Sequence, residues 1–287
     1  MIYWITVNYH STQLIEKLIQ SIPFLSPSIF QLIIINNSPE DLSIHRLKSD
    51  CILILDAPQN LGFGGGCNIG LEWVYQQNNQ GIVWLINPDT RLPQNAASNA
   101  INIFQQYPHM SIIGTLVEEA DQSIWLGGGI FNPKTGEILP QIYCKSLYDQ
   151  SLITVDWVSG CSLILNLHHF KTCPQFDVDY FLYYEDFDFC TRYRQQGHQL
   201  AITPTIKIFH QSSSITGQYP SLKLESQIYS YLLSLEKNAD LSAFLYRLFR
   251  ISLVSFILIW INPQTGWPKS KGVVRYLNRI LSRLRLK

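Results

Sequence analysis

The chain has 287 residues, 46% apolar and 15% charged, which suits one large domain, or one domain with an appendage, and excludes a disordered polymer. Formal charge is zero, but the nine Lys and Arg from Leu241 onward are joined by no Asp or Glu, which leaves twelve basic and twenty-one acidic groups before them. An acidic body gives no support to nucleic-acid binding, and a basic tail points to an anionic surface.

Residues 2–9 form an apolar run rich in β-formers and read as a buried strand. Ser11 or Thr12 then caps a helix with Leu14, Ile15, Leu18, Ile19 and Ile22 on one face, ended by Pro23 and Pro27. Residues 32–35 and 52–55 read as strands two and three, the second breaking at Asn36-Asn37-Ser38-Pro39. A Gly-rich loop over 60–66 leads into a helix that runs through Trp73, and residues 82–86 make a fourth strand ending at Asn87-Pro88-Asp89. The order predicts an α/β fold, a mostly parallel central sheet flanked by helices, with ligands beyond the carboxyl ends of the strands. Asn8, Asn36, Asn37, Asn60 and Asn87 to Asp89 all stand there.

The second half reads as turns at Gly127-Gly128-Gly129 and Asn132-Pro133, a strand over 155–165, and a strand end passing into a helix over 181–196. A strand over 201–209 and helices over 222–235 and 241–261 follow. The uncharged apolar run 251–261 has eleven residues, short of the ~20 that span a bilayer. With no basic n-region at the start, a cytoplasmic location is expected. Cysteines 51, 67, 144, 161, 173 and 190 form no C-x-x-C pair and read as reduced thiols.

In the tail, Val273, Val274, Leu277, Ile280, Leu281 and Leu284 fall on one helical arc, with Arg275, Arg279 and Arg283 opposite. This describes a C-terminal basic amphipathic helix peripheral to the inner face of an anionic membrane, with Trp260 and Trp267 at headgroup depth. The same letters describe a helix packed on its own domain or on a partner.

Three places carry chemistry. Asp89 after an apolar strand can hold a hard cation together with diphosphate oxygens, although an Asx-Pro turn uses the same letters. Tyr183-Tyr184-Glu185-Asp186-Phe187-Asp188 sets three acids among aromatics, as for a general base or the first turn of a helix. Asp188 reads as structural, paired with Arg192 four residues on. His210 closes a strand before Gln211-Ser212-Ser213-Ser214 and can meet a metal or a phosphate. The segment Asn60 to Asn68 matches neither a dinucleotide fingerprint nor a P-loop.

Taken in order, residues 7–11, 35–38, 60–63, 87–90, 155–160 and 181–192, with His210, resemble the family 2 glycosyltransferases, in particular their rhamnosyltransferase-like branch. The resemblance covers residues 2–215. It implies a GT-A catalytic domain over 1–220, with a nucleotide-binding half (1–115) and an acceptor half (116–220), followed by a helical region over 221–287.

It further implies that Val7, Asn8, Tyr9, Asn36, Asn60, Gly62, Phe63, Asn68, Asn87 and Asp89 line the nucleotide-sugar pocket. Asp156, Trp157, Gly160 and Glu185 fall on the acceptor and sugar side. Asp89 and His210 hold Mg²⁺ or Mn²⁺, and Asp186 is the general base of an inverting transfer from a dTDP- or UDP-sugar, with rhamnose the sugar the branch suggests, to a glycan or lipid-linked acceptor in cell-surface polysaccharide synthesis. The family usually has Asp-Asn after strand two. Asn36 in that place can accept a pyrimidine imide proton only with less charge assistance. Without Gln-x-x-Arg-Trp and several spanning helices, one sugar per encounter is expected. A sugar-phosphate nucleotidyltransferase would carry a basic Gly-rich loop where Asn8 to Thr12 stand. Asn36 and Asn87 in place of acids keep a second expectation open, a degraded transferase that only binds a sugar nucleotide or a partner.

Overall fold

The computed structural model describes residues 1–22, 30–142, 150–211 and 216–285. The expected helix stop at Pro23 and Pro27, Cys144, Ser212 to Ser214 and the side chain of Leu284 lie outside the described residues. The chain divides into two compact units.

The larger unit comprises residues 1–130, 139–179 and 186–212. Strands β1 (Ile2–Asn8), β2 (Phe30–Asn36), β3 (Ile52–Asp56) and β4 (Ile82–Ile86) alternate with helices α1 (Thr12–Ser21) and α2 (Gly62–Gln77). After them come β5 (Thr90–Arg91), α3 (Ala96–Gln106), β6 (Met110–Glu119), β7 (Ile124–Asn132) and β8 (Glu137–Ile142). The rest of the sheet is β9 (Ile153–Thr154), β10 (Trp157–Val158), β11 (Ser162–Asn166) and, after α4 (Glu185–Gln195), β12 (Gln199–His210). The sheet order is β10-β7-β6-β11-β4-β1-β2-β3, with β12 against β6, β5 and β9.

β1 to β4 are parallel, and so is β12 to β6, whereas β11 runs antiparallel to both β4 and β6 and β7 antiparallel to β6. The sheet is therefore mixed, not mostly parallel. The cause lies in the second half, where hairpins and short returns replace helical crossovers.

Both faces of the central strands are covered, which is why they read as continuous apolar runs. Along β1, Ile2 and Trp4 enter the core with α1 and α3, while Tyr3, Ile5 and Val7 enter the one with α2. Each such fully buried side chain contributes about 1.5–3 kcal/mol. The helix expected after a Gly-rich loop begins at Gly62, inside that loop. A Cβ at Gly66 would lie 2.9 Å from Val7 Cγ1, and one at Gly70 2.8 Å from Ile5 Cγ2. Glycine at these two positions lets α2 close onto β1.

The expected turn at Gly127 to Gly129 is part of β7. A Cβ on Gly128 would stand 2.1 Å from Trp157 O, and one on Gly129 1.9 Å from Leu139 O, so glycine marks close backbone approach there. The strand expected over 155–165 is broken into β10 and β11 by residues 159–161. At α1, Ser11 directs its hydroxyl to Asn8 and makes no side-chain cap.

The smaller unit holds residues 131–138, 180–185 and 213–287, with α5 (Pro220–Asn238), α6 (Leu241–Ile261) and α7 (Pro263–Arg285). Tyr229, Leu232 and Leu233 of α5 pack with Val273 and Tyr276 of α7 and with Tyr180. Arg275 reaches Glu225 and Arg279 reaches Glu236, so acids of α5 do relieve the basic arc of α7. Val273 and Tyr276 are buried, whereas Val274, Leu277 and Leu281 are exposed.

The exposed apolar surface lies chiefly on α6: Leu241, Leu245, Tyr246, Phe249, Leu253, Val254, Phe256, Ile257, Trp260 and Ile261 all face outward. With 21 residues, α6 is long and apolar enough to cross a membrane, because the helix continues through Arg247 and Arg250 beyond the eleven-residue run.

Candidate active site

The end of β4 makes a real Asx-Pro turn: Thr90 N–H and Oγ1 donate to Asn87 O at 3.3 and 2.6 Å. A plain surface turn would leave Asp89 in water, yet its side chain is 6% exposed. β12 pairs with β5 so that His210 stands opposite Thr90, and Gln211 N–H donates to Asp89 O. That register sets His210 Nε2 3.3 Å from Asp89 Oδ1 and 3.4 Å from Asn87 Nδ2.

The other imidazole nitrogen, Nδ1, lies 3.3 Å from Glu119 Oε1. Burial pulls the His210 pKa down, but Asp89 and Glu119 outweigh it and the net shift is upward. Glu119 is a site residue that the sequence reading missed, because residues 110–119 were not read as a strand. Its register partner in β12 is His210. The signal was the apolar run 112–117 before two acids.

Asp89 Oδ1 is buried and, among the described residues, accepts no hydrogen bond of good geometry. An anionic oxygen in that state fits a hard cation. Among the described residues no three His, Cys, Asp or Glu side chains form a metal site by themselves. A cation at Asp89 and His210 therefore needs ligand oxygens to complete its shell.

Asp186 is the second residue of α4. Gly160 N–H donates to its Oδ2 and Phe187 N–H to its Oδ1, both at 2.8 Å. Burial raises the Asp186 pKa, and the backbone donors offset only part of the rise. Just before it, Tyr183 and Tyr184 hold φ of +69 and +62°. Such left-handed, non-glycine backbone costs about 1–3 kcal/mol per residue, and strain of this kind collects at functional segments. Glu185 is buried at the first position of α4. Asp188 pairs with Arg192 at 2.6 Å, the structural role its spacing implies.

Residues 160 and 161 tie the two clusters together. Gly160 gives its N–H to Asp186, and Cys161 accepts from Asn87 N–H at 3.2 Å. Burial, with Asp186, Asp89 and Glu119 nearby and only Ser159 opposing, pushes the Cys161 thiol up to about 12, so it is neutral and no nucleophile. A Cβ on Gly160 would lie 2.8 Å from Phe63 Cε1 and 3.5 Å from Asp186 Cβ. Phe63, Gly160 and Asp186 thus meet. Beside them in sequence, Asp156 pairs with Arg194, and the buried Trp157 indole N–H has no hydrogen-bond partner among the described residues.

The ends of β1, β2 and β3 form a row. Asn8 Nδ2 donates to Asn36 Oδ1 at 3.1 Å, and Asn36 Nδ2 donates to Asp56 Oδ1 at 2.9 Å. Tyr9 stands after β1 with its ring edge-on to His10. Asn37 accepts from Leu61 N–H and Asn60 from Gly62 N–H, where Gly62 holds φ of +75°.

Two of the expected pocket residues also make packing contacts. Val7 is buried against Gly66, and Asn68 uses both ends of its amide on the Phe176 backbone.

The sequence model described as "Glycosyl transferase family 2" matches residues 3–148. The low-salt glycan biosynthesis hexosyltransferase Agl10 of Haloferax volcanii is 22% identical over 72% of this chain and 66% of its own length. The N-acetylglucosaminyl-diphospho-decaprenol L-rhamnosyltransferase of Mycobacterium tuberculosis is 21% identical over 77% of this chain and 79% of its own. Among solved structures, GalNAc-T7 with UDP, GalNAc and Mn²⁺ superposes with a TM-score of 0.59 at 11% identity, over 99% of this chain and 57% of that one. At that identity the likeness bears on the fold.

Proposed function

The chain belongs to glycosyl transferase family 2, and from that premise we propose that it moves one sugar from a nucleoside diphosphate to an acceptor hydroxyl with inversion. One observation carries the reading: residues 160 and 161 link Asp186 on one side to the turn of Asn87 and Asp89, with His210, on the other.

Asp186 accepts the hydroxyl proton as the acceptor oxygen attacks the anomeric carbon, and the bond to the diphosphate breaks on the opposite face. Its carboxylate is held by two backbone N–H groups, so the accepting oxygen is fixed before the acceptor arrives. Phe63 packs beside Gly160 on this side. Asp89 and His210 would hold Mg²⁺ or Mn²⁺ together with diphosphate oxygens, and a cation there offsets charge on the leaving group. Rhamnose is the sugar favoured by the rhamnosyltransferase resemblance, and a lipid-linked glycan is the acceptor.

The C-terminal unit docks on an anionic bilayer through α6. Its outward apolar face ends in Trp260, residues 241–287 carry nine cations and no acid, and Arg250 within the helix favours lying in the interface over crossing it.

The deciding experiment measures binding and turnover of UDP-, dTDP- and GDP-sugars with Mn²⁺ or Mg²⁺. The wild type is compared with Asp186→Asn and Asp89→Ala, thermal unfolding serving as the control for fold. Cation-dependent turnover of one donor, lost in both folded variants, supports the proposal. Failure of every donor to bind the wild type overturns it and leaves partner binding as the function.

A further inference from the structure

The residue that sequence resemblance assigns to base reading is not free to read a base. Asn36 is 0% exposed. Its amide oxygen already accepts from Asn8 Nδ2 and Ser38 Oγ, and its amide nitrogen donates to Asp56 Oδ1 and Asp41 O. An amide has two donor sites and two acceptor sites, so Asn36 is saturated.

The carboxylate missing from this position stands one strand over. Asp56 is the last residue of β3 and the register partner of Asn36. Its side chain is 52% exposed. Asn36 Nδ2 at 2.9 Å and His45 Nε2 at 3.2 Å both hold Oδ1, and among the described residues Oδ2 takes no hydrogen bond. The carboxyl group is thus anchored by one oxygen and offers the other to solvent, at the carboxyl end of a parallel strand where ligands of such sheets bind.

We propose that Asp56 is the base-specificity residue of the donor site, and that its Oδ2 accepts the ring N3–H of a uracil or thymine. This rests on the nucleotide-sugar reading above. The chain of amides from Asn8 through Asn36 aims and steadies the carboxylate. Cytosine, whose N3 is an acceptor, meets a like lone pair and is rejected.

The test measures dissociation constants of UDP, dTDP, CDP, GDP and N3-methyl-UDP for the full chain, wild type and variants. The wild type binds UDP or dTDP at least about tenfold more tightly than CDP and N3-methyl-UDP, as expected for losing a hydrogen bond to a charged group. Asp56→Asn keeps an oxygen for Asn36 and His45 and turns an N–H₂ donor outward. It loses about tenfold for UDP and gains for CDP. Asp56→Ala, judged folded by its unfolding transition, binds UDP and N3-methyl-UDP alike.

Equal wild-type affinity for UDP and N3-methyl-UDP, unchanged discrimination in folded Asp56→Asn, or a preference for GDP over both pyrimidines overturns the assignment. Those outcomes leave the transferase reading standing, whereas failure of every nucleotide to bind removes both.

Discussion

Asp186 illustrates how a site residue costs stability. Burial favours its protonated form, so its contribution to folding is greatest below the ordinary carboxylate value of 3.8 and is lost as pH rises through its raised folded value. At neutral pH the ionised group opposes folding. Asp186→Asn removes that charge but sets an amide N–H₂ against one of the two backbone donors, so its unfolding midpoint is expected to vary less with pH than that of the wild type, while kcat falls by about 10²–10⁴. Calorimetry beside single-turnover kinetics checks both arms. Because the base works only once deprotonated, the acid limb of the wild-type rate profile should lie above the usual carboxylate range and be absent from the residual rate of the variant. Gly160 is equally exacting. Gly160→Ala puts a methyl 2.8 Å from Phe63, and overpacking of that kind costs about 1–3 kcal/mol. Denaturant titration should show that loss together with a fall in kcat, and wild-type values for both would show that Phe63 gives way freely.

At the scale of elements, α4 depends on its buried ion pair. Arg192→Leu leaves Asp188 charged at 1% side-chain exposure and should cost about 3–5 kcal/mol by urea unfolding, while Asp188→Asn with Arg192→Leu together costs less. The elements that were legible in the sequence share one property, local pattern. β1, β3 and β4 follow their apolar runs almost to the residue, α6 has its expected bounds 241–261, and the Asp188 and Arg192 pair follows helical spacing. What was not legible depends on contacts distant in sequence. Gly127 to Gly129 look like a turn until the backbone of Trp157 is set against them. Glu119 lies in a stretch not read as a strand from its sequence, and its place becomes visible only where β12 brings His210 opposite it. The bonds of the Asn68 amide to the backbone of Phe176, 108 residues away, have no signal in the local sequence. Asp89, His210 and Asp186 were legible as candidates and Gly160 as a residue of the acceptor side, but that residues 160 and 161 join the two clusters was not, because those bonds close over distant parts of the chain.

For the whole molecule, the charge asymmetry is explained differently from what the linear sequence implied. The arginines of α7 turn partly inward to Glu225 and Glu236, and the apolar load is carried by α6. Co-sedimentation with vesicles containing anionic lipid should therefore depend on α6. Phe249→Glu with Phe256→Glu is expected to release the protein by at least about tenfold in partition coefficient, given the ~2.5–3.5 kcal/mol cost of a charge deep in the apolar layer. Substituting Val274 and Leu277 of α7 in the same way should matter less. Equal loss from both helices would assign the contact to α7 as well.

The link at residues 160 and 161 has a consequence for how such a protein can change over time. Asp186, the proposed base, and the turn proposed to hold the cation take their positions from neighbouring groups of one short segment, so neither can be repositioned without moving the other. New sugars or acceptors are then more readily accommodated by altering the walls than the machinery. Paired substitutions at Asp89 and Asp186 should combine non-additively, as parts that share one mounting do.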